Sequence, residues 1–494
     1  MTKTPQGPIH GWTATQTLAA LRARDIGSEE LLDAQLKRIA DVGGTVNAVV
    51  QLDTQTARDT ARAADNGQIT GPLTGLPMTV KDCFDATGFT TTAGIPDLEH
   101  NRPDRDADAI ARLKAAGAVI FGKTNVPLAA SDHQTDNPIF GLTRNPWDTD
   151  RSAGGSSGGS AAALAAGLTP LEIGSDIGGS IRVPAHYCGV YGHKPSYGIV
   201  SARGHVPPGP GALTPPPLSV CGPLARSAAD LSLAMDVLSG ADDPTVRGWR
   251  LHLPHAAPDR IDATRVAVWL DGFPLDPAYR AALSEFVEDL EHAGANVDRL
   301  DGPPAPVDPD SDLYFRLLFA VIGSGMSDED VAAFRDATRD LTDHPHAATI
   351  GRALRTSFAD MGPLLEGQAR QICKWHSFFA DYDVLLAPVA MGQAFAHQTG
   401  DGYGVTPQMR RTLQVGDTAL PYIENLLWPG VATVSHLPAT VRPLPRTPNG
   451  LPAGIQIIGD LYADRTTLAF AELCDRLWGT APLAPAFRSI KGEA

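Results

Sequence analysis

The sequence is short of cysteine, of basic charge and of long apolar runs, and each shortage argues against a class of protein. Five cysteines (Cys83, Cys188, Cys221, Cys373 and Cys474) in 494 residues are few, odd in number and never spaced as CxxC. That speaks against a disulfide framework or a zinc cluster and makes buried thiols the expectation. Forty basic against 56 acidic residues leave a net charge of −16, with the acidic residues spread along the chain and not gathered in a tail. Such a balance repels phosphate backbones, which argues against nucleic acid as a direct substrate. No 18-residue apolar run occurs, and MTKTPQGPIHGWTATQTLAAL lacks the basic-then-apolar pattern of a secretory signal. A soluble cytoplasmic protein with no membrane partner is therefore expected.

What is present is an ordinary globular composition, 43% hydrophobic and 19% charged, enough to bury a large core. Residues 1–70 read as helical packing elements. Ser28 is expected to cap SEELLDAQLKRIADVG, which carries apolar residues at helical spacing and stops at a glycine pair, and ARDTARAADNG follows in the same manner. From about residue 74, short apolar runs alternate with helical ones: TGLPMTVKD, DADAIARLKAAG, AVIFGK, SAAALAAG and TPLEIGSD. That texture suggests an α/β layered sheet. It resumes after about residue 240 with the strand-like RVAVWL, DVLLAPV and AGIQIIG. Asp276-Pro277 reads as the capped start of one helix there, and TTLAFAELCDRLWG as another. No internal repeat and no long linker separates the segments 1–70, 71–240 and 241–494, which favours one large α/β domain. The proline-rich GHVPPGPGALTPPPL, residues 204–218, is expected on the surface in extended or turning backbone.

Residues 151–167, RSAGGSSGGSAAALAAG, and 174–184, GSDIGGSIRVP, are the unusual stretches. A flexible linker fits the first poorly, because it runs straight into an alanine-rich helical segment. Ser156 and Ser157 each centre a formal G-x-S-x-G, yet that nucleophile elbow needs an apolar strand before it, and TRNPWDTDRSA is polar and turn-forming. Acyl transfer needs a nucleophile, a base and donors aimed at an oxyanion. The second stretch can supply two of them: glycine-permitted turning can gather the N–H groups of Ile177, Gly178, Gly179 and Ser180 beside the Ser180 hydroxyl. A phosphate nest would use similar glycines, but no G-K-[ST] follows. Neither run contains a histidine, so Lys81, following the apolar LPMTV, is the candidate base: burial there would favour its neutral amine. A lone strand-end lysine more often snorkels to solvent or pairs with a neighbour such as Asp82, and composition alone does not lift Lys81 above that.

In order, Lys81, the run Gly154 to Ser160, the run Gly174 to Ala185 and Gly192-His193-Lys194-Pro195-Ser196 resemble the amidase signature family. The spacings, 75 residues from Lys81 to Ser156 and 24 from Ser156 to Ser180, fit the family's Lys-Ser-Ser triad. GKTNVPL, GLTRNPWD and LPAGIQIIG extend the likeness, which is strong over residues 70–240 and weaker elsewhere. The resemblance implies a single α/β/α domain with a mixed central sheet. It also implies that Ser180 is the nucleophile, Lys81 the neutral general base and Ser156, on a cis peptide bond, the bridge between them. Asp176 and Arg182 become loop-fixing partners and Ser157 a supporting donor, although a surface or packing role for Ser157 is equally open. Neither metal nor organic cofactor is required. The expected partner is a small-molecule amide, with a homodimer left open.

Within the family, the stretch PPPLSVCGPLARSAADL departs from the leucine-aspartate-glutamine run found in the A subunit of the tRNA-dependent amidotransferase. This departure, and the ADWQ-like Ala130-Ser131-Asp132-His133-Gln134, favour a stand-alone amidase acting on an amide, ester or carbamate; the alternative is the amidotransferase component. Tyr314, Phe315 and Phe319 could line an apolar mouth, but aromatic residues at helical spacing more often fill a core. A metal-dependent amidohydrolase would need His344 and His346 as ligands, and the proline between them and the loop-like DLTDHPHAAT argue against it.

Overall fold

The computed structural model describes residues 7–241, 245–254, 259–308, 311–446 and 448–488. Its N-terminal part is helical as expected at Ala14–Ala23 (α1), Ser28–Arg38 (α2) and Thr54–Asp65 (α3). Two details differ from the sequence reading. Ser28 lies inside α2, and its hydroxyl donates to the Gly75 carbonyl. The first N–H groups of α2, those of Ser28 and Glu29, are instead satisfied by the Asp65 carboxylate at the end of α3, a cap delivered across space that leaves no local signal. The segment also contains a strand, Val49–Leu52 (β1), where the sequence reads as helix only.

Strands Pro77–Lys81 (β2) and Val119–Thr124 (β3) run parallel, with β1 antiparallel on the far side of β3. Next along the chain come helix Gly158–Ala165 (α4), strand Leu171–Asp176 (β4), helix Arg182–Cys188 (α5) and strands Tyr191–Lys194 (β5) and Val220–Ala225 (β6). After residue 240 follow Arg265–Val268 (β7), Pro277–His292 (α6), Asn296–Arg299 (β8), Asp312–Ser324 (α7), Val384–Pro388 (β9), Leu427–Val434 (α8), Ala439–Pro443 (β10), Gly454–Ile458 (β11) and Asp464–Trp478 (α9). Among the described residues β4 to β11 form one eight-stranded sheet in the order β8-β7-β9-β11-β10-β5-β6-β4. It is mixed: β7, β8 and β9 are mutually parallel and the other pairings antiparallel. Both segments, 71–240 and 241–494, contribute strands to it.

Two features of this layout position the site. Strand β2 lies beside β4, the last strand of the large sheet, so the ends carrying Lys81 and Ser175-Asp176 come together. Helix α4 is buried along its whole length because its residues are small. A Cβ on Gly159 would fall 2.3 Å from the Asn125 backbone N, so α4 sits against bare main chain after β3.

Several expectations change in three dimensions. The thiol of Cys373 is exposed while the other four are buried, and all five are free. Most of 207–217 is at least partly exposed, but Gly204, His205 and Val206 are buried, because Val206 N–H donates to Cys83 O and Gly204 O accepts from Asp85 N–H. Tyr314, Phe315 and Phe319 are core residues of α7. His346 stacks on Phe315 with ring centroids 4.3 Å apart and lies 3.9 Å from Glu424. No described helix is long and apolar enough to cross a membrane.

Candidate active site

Lys81 is fully buried, and its amine lies 2.7 Å from Ser156 Oγ and 2.9 Å from Ser175 Oγ. Desolvation of the charged form dominates its titration, and the more distant Cys83, Asp176, Cys221 and Glu172 oppose this only in part, so the amine is held below the usual lysine range. The alternative of pairing with Asp82 does not occur. Asp82 binds the ammonium of Lys123 at 2.8 Å, which faces the opposite side of the strand pair and also donates to Thr90 O. Asp82 lies in the turn just after β2, where the Gln51 and Thr92 side chains also donate to its carboxylate.

Ser156 follows a cis peptide bond from Gly155. Gly154, with φ +81°, could not carry a side chain, whose Cβ would meet Pro184 Cα at 2.6 Å. The next residue, Ser157, is fully buried; its N–H donates to Ser180 O at 3.0 Å and thereby ties the two glycine-serine stretches together. A surface role for Ser157 is thus overturned, while the packing and supporting roles remain compatible with its position.

The 176–182 loop is organised around Asp176, whose carboxylate accepts from the N–H groups of Gly179, Ile181 and Arg182 and from Arg182 Nε and Nη2. Burial would raise this carboxyl, but the Arg182 charge and hydrogen bonds outweigh it and hold the group far below the usual carboxylate range. Arg182 is itself anchored by Pro429 O, Gln456 Oε1 and Thr433 Oγ1.

The four candidate oxyanion donors are not equally free. The Gly179 N–H is spent on Asp176, at 2.8 Å. The carbonyl of the same peptide unit, Gly178 O, is held by His133 Nε2 at 2.8 Å, which fixes the plane of that peptide. Among the described residues the N–H groups of Ile177, Gly178 and Ser180 have no partner, and neither has the Ser180 hydroxyl. Ser180 keeps 7% of its surface exposed. Of the four expected donors, three therefore remain without a partner.

Two histidines distant in sequence reach this region. His133 accepts from Asn425 Nδ2 at 2.9 Å and so carries its proton on Nε2, facing Gly178 O. His205 contacts Ser175 Oγ at 2.8 Å. His133 belongs to the ADWQ-like segment, whereas nothing in the sequence flags His205 beyond its place at the start of the proline-rich run.

The class that this fold and these groups define is a hydrolase of amide C–N bonds. The chain belongs to the amidase family, whose model, described as Amidase, matches residues 30–468. It is 32% identical to an indoleacetamide hydrolase of Bradyrhizobium diazoefficiens, over 96% of this chain and 90% of that protein. It is 33% identical to the A subunit of the glutamyl-tRNA(Gln) amidotransferase of Roseiflexus castenholzii, over 96% of this chain and 97% of that one. Among solved structures, a bacterial aryl acylamidase of the amidase signature enzymes superposes with a TM-score of 0.80 at 26% identity, covering 99% of this chain and all of that one.

Proposed function

We propose that the protein is a stand-alone cytoplasmic amidase that forms an acyl-enzyme on Ser180. The observation that carries this reading is the buried amine of Lys81, 2.7 Å from Ser156 and held toward its neutral form. In the proposed cycle Lys81 takes the Ser156 hydroxyl proton while Ser156 takes that of Ser180, and the Ser180 oxygen attacks the amide carbonyl carbon. The resulting oxyanion rests on the N–H groups of Ile177, Gly178 and Ser180. Collapse breaks the C–N bond, and the proton returns through Ser156 to the departing amine. Water then gives its proton to the same relay, attacks the acyl-enzyme and releases the acid.

The proposed substrate is a small uncharged amide with an apolar or aryl part. Supporting this, a side chain on Gly178 would meet the Leu426 methyl at 2.9 Å and the Tyr314 hydroxyl at 3.4 Å, so the apolar cluster that holds Tyr314 packs directly against this loop. The indoleacetamide hydrolase and the aryl acylamidase act on amides of that kind by their names. The second reading, a component of a tRNA-dependent amidotransferase, is favoured by the 33% identity to the Roseiflexus protein. Purified protein alone is expected to release ammonia from indoleacetamide or an arylamine from a simple anilide, and a panel with matched aliphatic amides, esters and carbamates ranks the classes. Activity that appears only with glutamine and a partner protein would transfer the assignment. Ser180→Ala should abolish both turnover and labelling by an acylating probe, and a labelled Ser180→Ala protein refutes the nucleophile. For the location, the five free thiols suit a reducing compartment, and recovery in a periplasmic or secreted fraction would overturn it.

A further inference from the structure

The buried amine has a second neighbour that the relay does not use. Ser175 Oγ lies 2.9 Å from Lys81 Nζ and 2.8 Å from His205 Nε2, and His205 Nδ1 lies 2.9 Å from Pro207 O. A carbonyl can only accept, so the Nδ1 proton points at Pro207, and in the neutral ring Nε2 is an acceptor. The Ser175 hydroxyl must then donate to His205 Nε2. Its oxygen is left to accept from a Lys81 N–H, and it has no proton to offer the amine. The one lone pair of a neutral Lys81 is thereby reserved for Ser156.

We infer that His205 is a positioning residue: through Ser175 it sets the orientation of the Lys81 amine so that its lone pair faces Ser156. This deepens the reading of Lys81 as the base and rests on it. The local fold supports a fixed ring. The His205 backbone bridges to Phe84, the Phe84 ring packs edge-on at 5.1 Å, and Val206 N–H is tied to Cys83 O. Gly204, at φ +83°, places this segment so close to Ala107 that a side chain there would lie 2.6 Å from its Cα.

The titratable groups around the pair are Lys81 on β2, Cys83 and Asp85 just beyond it, Glu172 and Asp176 on β4, and Cys221 on β6. Burial pushes Cys83 up to about 11 and Cys221 to about 12, and Asp176 is matched by Arg182. Burial, with the Lys81 charge, lowers His205 to about 4, so the accepting tautomer persists at neutral pH. Without an acceptor at position 205, the Ser175 proton is free to turn onto the Lys81 lone pair, where it competes with Ser156.

The test compares His205→Phe, His205→Gln, Ser175→Ala and Lys81→Ala in the full chain over pH 5–8. His205→Phe is expected to lower kcat about 10- to 100-fold with KM little changed. His205→Gln, which can still accept near the Nε2 position, should recover most of that loss. The acid limb of the pH profile should not rise in His205→Phe, because a Ser175 hydroxyl donating to the amine favours its neutral form. A limb that moves to higher pH would show water reaching Lys81, which makes His205 a packing residue and overturns the inference, as would wild-type kcat in His205→Phe. If His205→Phe does not fold, the Ser175→Ala background carries the test: there His205→Gln should change kcat no further, and multiplied losses overturn the inference. An inactive Lys81→Ala beside a fully active His205→Phe defeats only the role of His205, whereas an active Lys81→Ala defeats the reading of the base.

Discussion

In the proposed reading of Lys81, burial converts a common residue into a reagent. Burial strips its ammonium of hydration, the carboxylates of Asp176 and Glu172 offset this only in part, and the neighbouring Asp82 is engaged by Lys123. Activity that depends on the neutral amine should rise with pH through a pKa below the usual 10.5, read as the acid limb of kcat/KM. Lys81→Ala should cost nearly as much as Ser180→Ala if, as proposed, base, bridge and nucleophile act as one unit; a mild loss at neutral pH would make Lys81 structural. Glu172 shows the same physics with the opposite sign. Burial raises its carboxyl to about 8 from 4.5, with a Thr79 hydroxyl bonded to one oxygen. Its stabilising contribution is therefore full below about pH 4.5 and is lost as pH rises through about 8. Glu172→Gln should match the wild-type melting temperature at pH 4 and exceed it at pH 8, measured by thermal unfolding.

At the scale of elements, the loop between β4 and α5 is held by one carboxylate. Removing its partner with Arg182→Ala leaves Asp176 buried and uncompensated, which should cost about 3–5 kcal/mol in denaturant unfolding. Gly179 has φ +98°, and a Cβ there would meet Pro429 Cγ at 2.8 Å and Val183 Cγ2 at 2.9 Å. Gly179→Ala is expected to keep the fold at a cost of about 1–3 kcal/mol of backbone strain while lowering kcat much more than KM, because it displaces the adjacent Ser180. Most of these elements were readable locally. β2, β4, β7, β9 and β11 sit where short apolar runs were bounded by turn residues, and α6 begins at the expected cap, with Asp276 accepting from Ala278 and Tyr279 N–H. The misses share a cause. β1 exists because β3 pairs with it, and α2 is capped by Asp65 from another helix, so neither carries its own signal.

For the whole molecule, a sheet that takes β4–β6 from one half of the sequence and β7–β11 from the other makes separate unfolding of the halves costly. One cooperative transition is expected by calorimetry, with calorimetric and van't Hoff enthalpies in agreement; two resolved transitions would divide the chain into independent units. Acid should weaken the fold as well. Burial lowers His186, His205 and His436 to about 4, with the charge of Lys81 adding to this at His205 and that of Lys194 at His436. Their stabilising contribution is present above about pH 6.5 and lost as pH falls through about 4.

The sequence by itself determined the alternating α/β texture, the two glycine-serine stretches and the triad candidates Lys81, Ser156 and Ser180. Each of these is a matter of residue type and spacing along one stretch of chain, or of motifs matched in order. Only the tertiary structure decided which way Lys81 faces, that the Gly179 N–H is spent on Asp176, and that His133 and His205 stand at the site. Those outcomes depend on contacts between residues up to hundreds of positions apart, where burial and hydrogen-bond direction, not local propensity, set the state of each group.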